Sequence, residues 1–265
     1  MTKIIDRILS LFHNKRRFYG FFYFLFIRGV QGMEHGRNYG MIETSGELRV
    51  LRWVKDNFKN PVIFDGGANV GDYTRACAEI GTVYAFEPAS SPFSTLLKTF
   101  EGVGNVKLFQ YALSNESHSM TLKSDHESSQ IASVVNLNYE HYDIAMSHEE
   151  KVQGITIDEF CKKRELDRIN LLKLDIEGSE YFALLGAKNM IALNKIDMIQ
   201  FEMGWPNVDS KTFFKDFYLL LKEKYKLYRI VSFGLIPIEG YFYEYEIFLG
   251  CNYLAIRKDL DLKLK

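Results

Sequence analysis

A glycine-rich turn between a short apolar run and a helical segment restricts the fold of this chain more than any other feature. The turn reads DGGANVG over residues 65–71 and directly follows the apolar residues 62–64. Glycine lets the backbone adopt a positive φ and lets a ligand approach the main chain closely. The helix that follows begins with free N–H groups. We therefore expect a strand, a ligand-binding turn and a helix, the opening unit of an open α/β sheet.

Short apolar runs alternate with amphipathic segments along the rest of the chain. Continuous apolar strands are typical of a parallel sheet that is buried on both faces. The sequence therefore predicts an α/β fold with a doubly wound, mostly parallel sheet. After residues 62–64, the expected strands cover residues 82–86, 106–112, 169–174, 196–201, 225–232 and 252–257.

Two parts of the chain fall outside this alternation. Residues 1–45 are expected to be an N-terminal helical extension, and residues 46–265 the main domain. The domain contains a polar insert at about 114–153, in which residues 119–123 and 131–137 are candidates for a short hairpin. Connections of this length often form lids or binding loops.

Charge and cysteine content exclude several classes of protein. The formal net charge is −1, which provides no general attraction for nucleic acid, so no nucleic-acid partner is expected. The cysteines at 77, 161 and 251 are odd in number and form no C-x-x-C pair. A disulfide framework or a zinc site is therefore not expected, and a cytoplasmic location is the simplest interpretation.

A basic and aromatic segment at residues 15–28 leaves one question open. Three basic residues precede the apolar run 18–27, and Arg28 follows it. The run is shorter than the roughly 18 apolar residues that span a bilayer. We favour docking of this segment on the domain or on a second subunit, and peripheral membrane contact is the alternative. The oligomeric state stays open.

The turn at residues 65–71 could bind either of two cofactors, but it does not fit both equally well. A dinucleotide motif would place Ala68 where the pyrophosphate requires glycine, which disfavours NAD. The loop pattern of S-adenosylmethionine enzymes fits better, with Asn69 in place of the middle glycine, because asparagine tolerates positive φ. Glu87 follows the second strand and could accept hydrogen bonds from ribose hydroxyls of either cofactor. The predicted cofactor-binding residues are Asp65, Gly66, Gly67, Ala68, Asn69, Gly71, Glu87, Pro88, Ala112 and Leu113.

Acidic residues follow the later strands at the same sheet edge. Asp175 ends one strand and Glu202 the next, so both should converge with Asp65 and Glu87. Carboxylates at one edge repel each other unless a cation or hydrogen-bond donors bind there. Three uses stay open: a Mg²⁺ site, a general base for an acceptor hydroxyl, or caps without a catalytic role. The metal candidates are Asp175, Glu177 and Glu202, and the catalytic candidates are Asp175, Glu202 and Lys173.

Lys173 is an unusual residue for a central strand. It lies two residues before Asp175 and therefore on the same face of the strand. A buried lysine requires a partner. We expect it to pair with Asp158 or Glu202.

Several motifs together resemble the FkbM-type methyltransferases. They cover residues 61–257 and include VIFDGGANVG (62–71), YAFEP (84–88), TIDEF (156–160), LKLDIEGSE (172–180) and IQFE (199–202). The resemblance implies a Rossmann-like, seven-stranded sheet of the class I methyltransferase type and S-adenosylmethionine as cofactor. It implies O-methylation, often of sugars or natural products. It also implies that Gly67 and Glu87 bind the cofactor and that acids near Asp175 contact the acceptor.

The predicted function is therefore S-adenosylmethionine-dependent O-methylation of a hydroxyl on a small molecule, sugar, polysaccharide or natural-product glycan. Three alternatives stay open. One is an NAD-dependent oxidoreductase, another is a methyltransferase of a protein or RNA acceptor, and the third is a non-catalytic relative of the fold.

Overall fold

An eight-stranded sheet forms the centre of the computed structural model, which describes residues 7, 10, 12, 13, 15–36 and 41–262. A smaller sheet of three strands accompanies it. In chain order the strands are β1 (Val62–Gly66), β2 (Thr82–Phe86), β3 (Val106–Phe109), β4 (Ala112–Leu113), β5 (Ser119–Ser124), β6 (His148–Ile155), β7 (Ile169–Leu174), β8 (Ile196–Met203), β9 (Tyr225–Val231), β10 (Gly234–Ile238) and β11 (Cys251–Arg257).

The large sheet has the order β10-β9-β11-β8-β7-β1-β2-β3. Strands β3, β2, β1, β7 and β8 are parallel, while β11 is antiparallel to β8 and β9. The chain builds outward from β1 through β2 to β3 and later from β7 to β8 in the other direction. The doubly wound, mostly parallel, Rossmann-like sheet is therefore confirmed, and its switch point lies between β1 and β7.

The sheet has one strand more than the seven that were predicted. The additional strand, β10, forms a hairpin with β9 at the edge of the sheet. It contains Pro237, which donates no backbone hydrogen bond and is tolerated at an edge. Ile236 in this strand is 44% exposed. Residues 235–238 are apolar, but the proline among them disfavours a strand, and the strand was therefore not predicted.

Helices cover both faces of the large sheet and enclose two apolar cores. Because alternate residues of a strand point to opposite faces, Phe64 and Ile199 belong to one core, while Ile63 and Met198 belong to the other. The helices are α1 (Tyr19–Gly32), α2 (Glu47–Asn57), α3 (Asp72–Ala78), α4 (Ser90–Thr99), α5 (Ile157–Lys163), α6 (Glu180–Leu185), α7 (Lys188–Ala192), α8 (Pro206–Ser210) and α9 (Phe214–Leu221). Among the described residues, none of these helices is both long and apolar enough to cross a bilayer.

The insert at about 114–153 contributes β5 and β6 to the small sheet. The expected hairpin between residues 119–123 and 131–137 is wrong, because β5 pairs along its whole length with β6. A single bridge joins Lys123 to Ser133. In β6, exposed residues alternate with partly buried or buried ones over residues 148–154, and its polar composition concealed it in the sequence. Helix α1 lies within the expected extension 1–45, and the division of the chain at residue 45 stays a prediction.

Candidate functional site

A cavity of about 720 Å³ opens beside the switch point of the sheet. It lies at the carboxyl ends of the parallel strands, where open α/β sheets bind ligands. Three residues predicted to bind cofactor, Asp65, Gly66 and Gly71, are buried and do not line it. The other predicted site residues line it together: Gly67, Ala68, Asn69, Glu87, Pro88, Ala112, Leu113, Lys173, Asp175, Glu177 and Glu202.

The turn after β1 is wedged against the end of β7. The N–H groups of Gly67 and Ala68 both donate to the carbonyl of Phe86, at 3.0 Å each. Gly67 has a φ of 80°, and a Cβ at this position would lie 1.8 Å from the carbonyl oxygen of Asp175. Only glycine fits there. Asn69 has a φ of 46°, the positive region that asparagine was expected to tolerate.

Glu87 braces the turn from the end of β2. Its Oε2 accepts a hydrogen bond from the N–H of Asn69 and its Oε1 one from the N–H of Ala89, both at 2.9 Å. Burial raises the pKa of Glu87 to about 7, although the two N–H donors act in the opposite direction. Each carboxylate oxygen keeps a second lone pair. The side chain lines the cavity and can accept further hydrogen bonds from a ligand.

Lys173 pairs with different acids from those predicted. Its Nζ lies 3.4 Å from Oδ1 of Asp65 and 3.2 Å from Oδ2 of Asp175. The register of the sheet explains the choice, because Asp65 on β1 lies directly beside Lys173 on β7. The expected partner Asp158 instead accepts the N–H groups of Asn189 and Met190 at the start of α7. Pairing with Glu202 does not occur either, because Glu202 bonds to Asp175.

The environment of Lys173 keeps its amino group charged. Burial disfavours the ammonium, but the negative charges of Asp175 and Asp65 outweigh it and raise the pKa of Lys173. The ring of Tyr73 adds a cation–π contact, with its centroid 4.9 Å from Nζ. On the other side, Thr74 Oγ1 donates to Oδ2 of Asp65 at 2.6 Å. Asp65 therefore acts behind the cavity wall, as the anchor of Lys173.

Three acids form a cluster in the cavity. The carboxylate oxygens of Asp175, Glu177 and Glu202 lie within 4.8 Å of one another. Burial and the neighbouring charge of Asp175 raise the pKa of Glu202, so that Glu202 holds a proton and donates to Asp175. Burial acts against ionisation of Asp175 as well, but the Lys173 ammonium and the hydrogen bond from Glu202 lower its pKa overall.

Glu177 is the least satisfied member of the cluster. Burial, followed by the charges of Asp175 and Glu180, raises the pKa of Glu177. Its Oε2 is buried and has no hydrogen-bond partner among the described residues. Three carboxylates this close together, one with an unsatisfied oxygen, are candidates for holding a divalent cation.

Sequence reasoning missed a polar chain that ties α2 to the site. Gln200 Nε2 donates to Oε1 of Glu47 at 2.7 Å, and the hydroxyl of Tyr73 donates to Oε1 of Gln200 at 3.2 Å. Glu47 also lines the cavity. A glutamine inside the apolar run of β8 was a signal that could have been noticed. Nothing in the sequence placed Glu47, which lies 153 residues away, beside it.

The insert forms one wall of the cavity. Residues 129–134 line it, and Ser133 Oγ donates to the carbonyl of Glu177 at 2.7 Å. The insert thus lies where a binding loop would, and its role in binding stays a prediction. Trp205 also lines the cavity.

Acidic groups outnumber basic groups around the cavity. Among the described residues that line it, Lys173 and Arg75 are the two basic side chains, and Lys173 is already paired. The acidic residues are Glu43, Glu47, Asp72, Glu79, Glu87, Asp175, Glu177 and Glu202. Such a cavity favours a cationic ligand over an anionic one.

Sequence comparisons match this chain to methyltransferases. Residues 65–230 match the family described as the methyltransferase FkbM domain. The chain is 28% identical over 168 residues to the hexuronic acid methyltransferase AglP of Haloferax volcanii. The aligned region covers 63% of this chain and 65% of that protein. It is 30% identical over 142 residues to methyltransferase 1 of Beauveria bassiana. This second aligned region covers 47% of this chain and 57% of that protein. The matches therefore span less than two thirds of either relative.

Solved structures give a more distant match. The crystal structure of methyltransferase FkbM from Methylobacillus flagellatus KT is 15% identical to this chain. The superposition has a TM-score of 0.45 and covers 74% of this chain and 44% of that one.

Proposed function

The chain belongs to the methyltransferase FkbM domain family, and we propose that it transfers a methyl group from S-adenosylmethionine to a hydroxyl group of a sugar or glycan. One observation carries the proposal. The turn at residues 67–69, Glu87 and the acid cluster around Asp175 all line the same cavity. A turn suited to a nucleoside and a carboxylate that could accept a proton thus meet where a donor and an acceptor could be held side by side.

The charge of the cavity supports S-adenosylmethionine over NAD. The sulfonium and ammonium groups of S-adenosylmethionine outweigh its one carboxylate, whereas NAD carries a doubly charged pyrophosphate. A pyrophosphate would face several acids, with Arg75 and the already paired Lys173 as the basic side chains of the described lining. The buried methyl group of Ala68 also occupies the position where a dinucleotide needs glycine.

Different residues of the cavity lining would bind different parts of the cofactor. Glu87 would accept hydrogen bonds from the ribose hydroxyls, and the backbone of Gly67 would allow close approach of the cofactor. Pro88, Ala112 and Leu113 offer apolar surface for the adenine. Bound S-adenosylmethionine would supply an electrophilic methyl group. The protein must then position the acceptor and accept its proton.

Asp175 is our candidate for the group that accepts this proton. Its side chain is 39% exposed, whereas Lys173 and Asp65 are buried behind it. The Lys173 ammonium keeps Asp175 ionised. A carboxylate of low pKa suffices as base, because a hydroxyl oxygen becomes strongly acidic as its bond to the methyl carbon forms. Lys173 and Glu202 act on this step by setting the charge and orientation of Asp175.

Binding of a Mg²⁺ ion is a second role that the same acids could have. Asp175, Glu177 and Glu202 would hold it, and the unsatisfied Oε2 of Glu177 favours this use. The ion would lower the pKa of an acceptor hydroxyl. Mn²⁺ binding, measured by calorimetry on the wild type and on Glu177→Gln, tests this use. Equal heats for the two proteins, or no binding to either, would exclude the site.

A sugar hydroxyl is the acceptor class that we propose. The relative from Haloferax volcanii is named a hexuronic acid methyltransferase. The near-neutral charge of this chain gives no support to an RNA acceptor. All three cysteines are buried free thiols, which suits a reducing compartment, and we propose that the chain acts in the cytoplasm.

Calorimetric titration of the full chain with S-adenosylmethionine and, separately, with NAD tests the cofactor assignment. We expect the chain to bind S-adenosylmethionine and not NAD. Glu87→Ala should weaken this binding at least about tenfold, because each lost charge-assisted hydrogen bond contributes about 1.5–3 kcal/mol. Glu101→Ala, which removes an exposed acid away from the cavity, is the matched control. Binding of NAD in preference, or equal affinity in Glu87→Ala and the wild type, would refute the assignment.

A further inference from the structure

Helix α1 exposes apolar side chains on all sides. Tyr19 is 72% exposed, Phe26 59%, Tyr23 56% and Phe24 53%. Phe21 is 50% and Leu25 40% exposed, and at about 100° per residue the six positions surround the helix axis. A helix that packs on a domain normally hides an apolar stripe and shows a polar face. Val30 is the one buried residue of α1, so the domain does not cover the aromatic part of this helix.

The contacts after α1 hold its carboxyl end to the domain. Glu34 accepts hydrogen bonds from the N–H of Ser232 at 2.7 Å and from its hydroxyl at 2.5 Å. The N–H of Gly36 donates to the carbonyl of Gly250 at 3.0 Å. The aromatic helix is therefore fixed at one end and exposed along the rest of its length. The docking on the domain that we favoured from the sequence does not describe its aromatic part.

Charge decides which partner covers these aromatic residues. The sequence from residue 7 to residue 33 contains no aspartate or glutamate. It contains five basic residues: Arg7, Lys15, Arg16, Arg17 and Arg28. A second copy of the helix would bring like charges together, whereas an anionic lipid surface would attract all of them. Aromatic rings flanked by cations are also typical of helices in the headgroup region.

We propose that α1 docks on an anionic membrane surface and lies within one leaflet. Its 14 residues are about 21 Å long, less than the roughly 30 Å of a bilayer core. The basic residues 15–17 and Arg28 lie near its two ends and contact lipid headgroups, while the aromatic rings between them enter the acyl boundary. This proposal does not depend on the proposed methyl transfer.

Co-sedimentation of the full chain with lipid vesicles tests the proposal. We expect binding to vesicles of phosphatidylcholine with about one third phosphatidylglycerol, weaker binding to phosphatidylcholine alone, and release by high salt. Reversing the charges in Arg16→Glu/Arg17→Glu/Arg28→Glu should lower the binding constant at least about 100-fold, since each basic residue contributes about 1 kcal/mol. Phe21→Ser/Phe24→Ser/Phe26→Ser should weaken binding to both vesicles.

The matched control is Lys55→Glu/Lys59→Glu/Lys98→Glu, which makes the same charge change at exposed positions of the domain. It should bind as the wild type does. No binding of the wild type to anionic vesicles, or equal losses in the two charge variants, would refute the proposal. So would a dimer, seen by sedimentation equilibrium without lipid, that the phenylalanine variant dissociates. The salt series on the wild type tests the proposal even if a variant fails to fold.

Discussion

Strand β8 carries a buried acid near each of its ends, and the two acids have opposite surroundings. Asp197, near the amino end, is 1% exposed, and Glu202, near the carboxyl end, is 7% exposed. Asp197 lies among cations, whereas Glu202 lies among other acids. The same strand thus allows a comparison between a buried charge that is paired within the fold and an acid that we propose to serve a ligand.

At the amino end of β8, the charge of the buried acid is fully compensated. Oδ1 of Asp197 lies 2.5 Å from Nη1 of Arg168 and 2.9 Å from Nη1 of Arg257. Its Oδ2 accepts a hydrogen bond from Asn170 at 2.8 Å. One carboxylate thus meets two guanidinium groups and an amide, an arrangement that offsets much of the desolvation of the charge.

The carboxyl end is undercompensated. Lys173 is the buried cation there, and Asp65 and Asp175 already pair with it. Burial and the charge of Asp175 raise the pKa values of Glu177 and Glu202. Buried acids without paired cations are unfavourable for folding, and groups with perturbed pKa values often mark functional sites. This difference supports the proposal that the carboxyl end of β8 binds a cationic ligand.

The largest effect on stability is expected at the compensated end. Asp197→Ala should lower the free energy of unfolding by about 2–4 kcal/mol, because it leaves Arg257 buried with Asp259 as its remaining carboxylate partner. Affinity for S-adenosylmethionine should not change. Denaturant unfolding and calorimetry measure the two quantities. Asp167→Ala removes a surface pair with Lys195 and should change stability by less than about 1 kcal/mol. Equal losses in the two variants would erase the contrast.

A smaller effect, and one of opposite sign, is expected next to the acid cluster. Oε1 of Glu180 accepts the N–H groups of Ile176 and Gly178, and burial raises its pKa to about 7. The folded chain therefore binds this proton more tightly than the unfolded chain does. The free energy of unfolding should fall as the pH rises from about 4.5 to about 7, and this contribution should be constant above that range.

Glu180→Gln keeps the acceptor oxygen and removes the titration. At pH 8 it should stabilise the protein by on the order of 1–3 kcal/mol, with little change near pH 4.5. Unfolding curves measured across this pH range would show it. A part of the fall with pH should persist in the variant, because Glu87 also has a pKa of about 7. Loss of stability at pH 8 would contradict the expected sign.

The smallest effect is expected at Glu202 itself. Because Glu202 holds a proton and donates to Asp175, the amide of Glu202→Gln can donate in its place. Stability should change by less than about 1 kcal/mol although the residue is buried. A loss as large as that of Asp197→Ala would show that Glu202 is ionised and structurally compensated. The two ends of β8 would then be alike.

Local sequence patterns account for those parts of the fold and of the candidate site that could be predicted from the sequence. The turn at 65–71, Glu87 and Asp175 follow strands whose apolar runs are unambiguous, so their meeting at one edge follows from topology alone. The positive φ of Asn69 follows from residue type. These features depend on a few neighbouring residues and on the order of the parallel strands.

The remaining features depend on contacts between distant segments. The pairing of Lys173 with Asp65 depends on the register between β1 and β7, which cannot be read from the sequence alone. The contact between Gln200 and Glu47 depends on how α2 packs over the sheet. Asp65 looked like a ligand of the cofactor because it begins the turn, yet it is fully buried. Spacing in the sequence identifies a strand end, but it does not reveal which side chain there reaches solvent.

A crystal structure of the full chain soaked with S-adenosylmethionine is the decisive test of the cavity as a methyl-donor site. We expect ribose hydroxyls within hydrogen-bond distance of Glu87 and the sulfonium on the side of Asp175. An empty cavity at saturating cofactor, or a cofactor bound away from residues 67–69, would contradict this assignment.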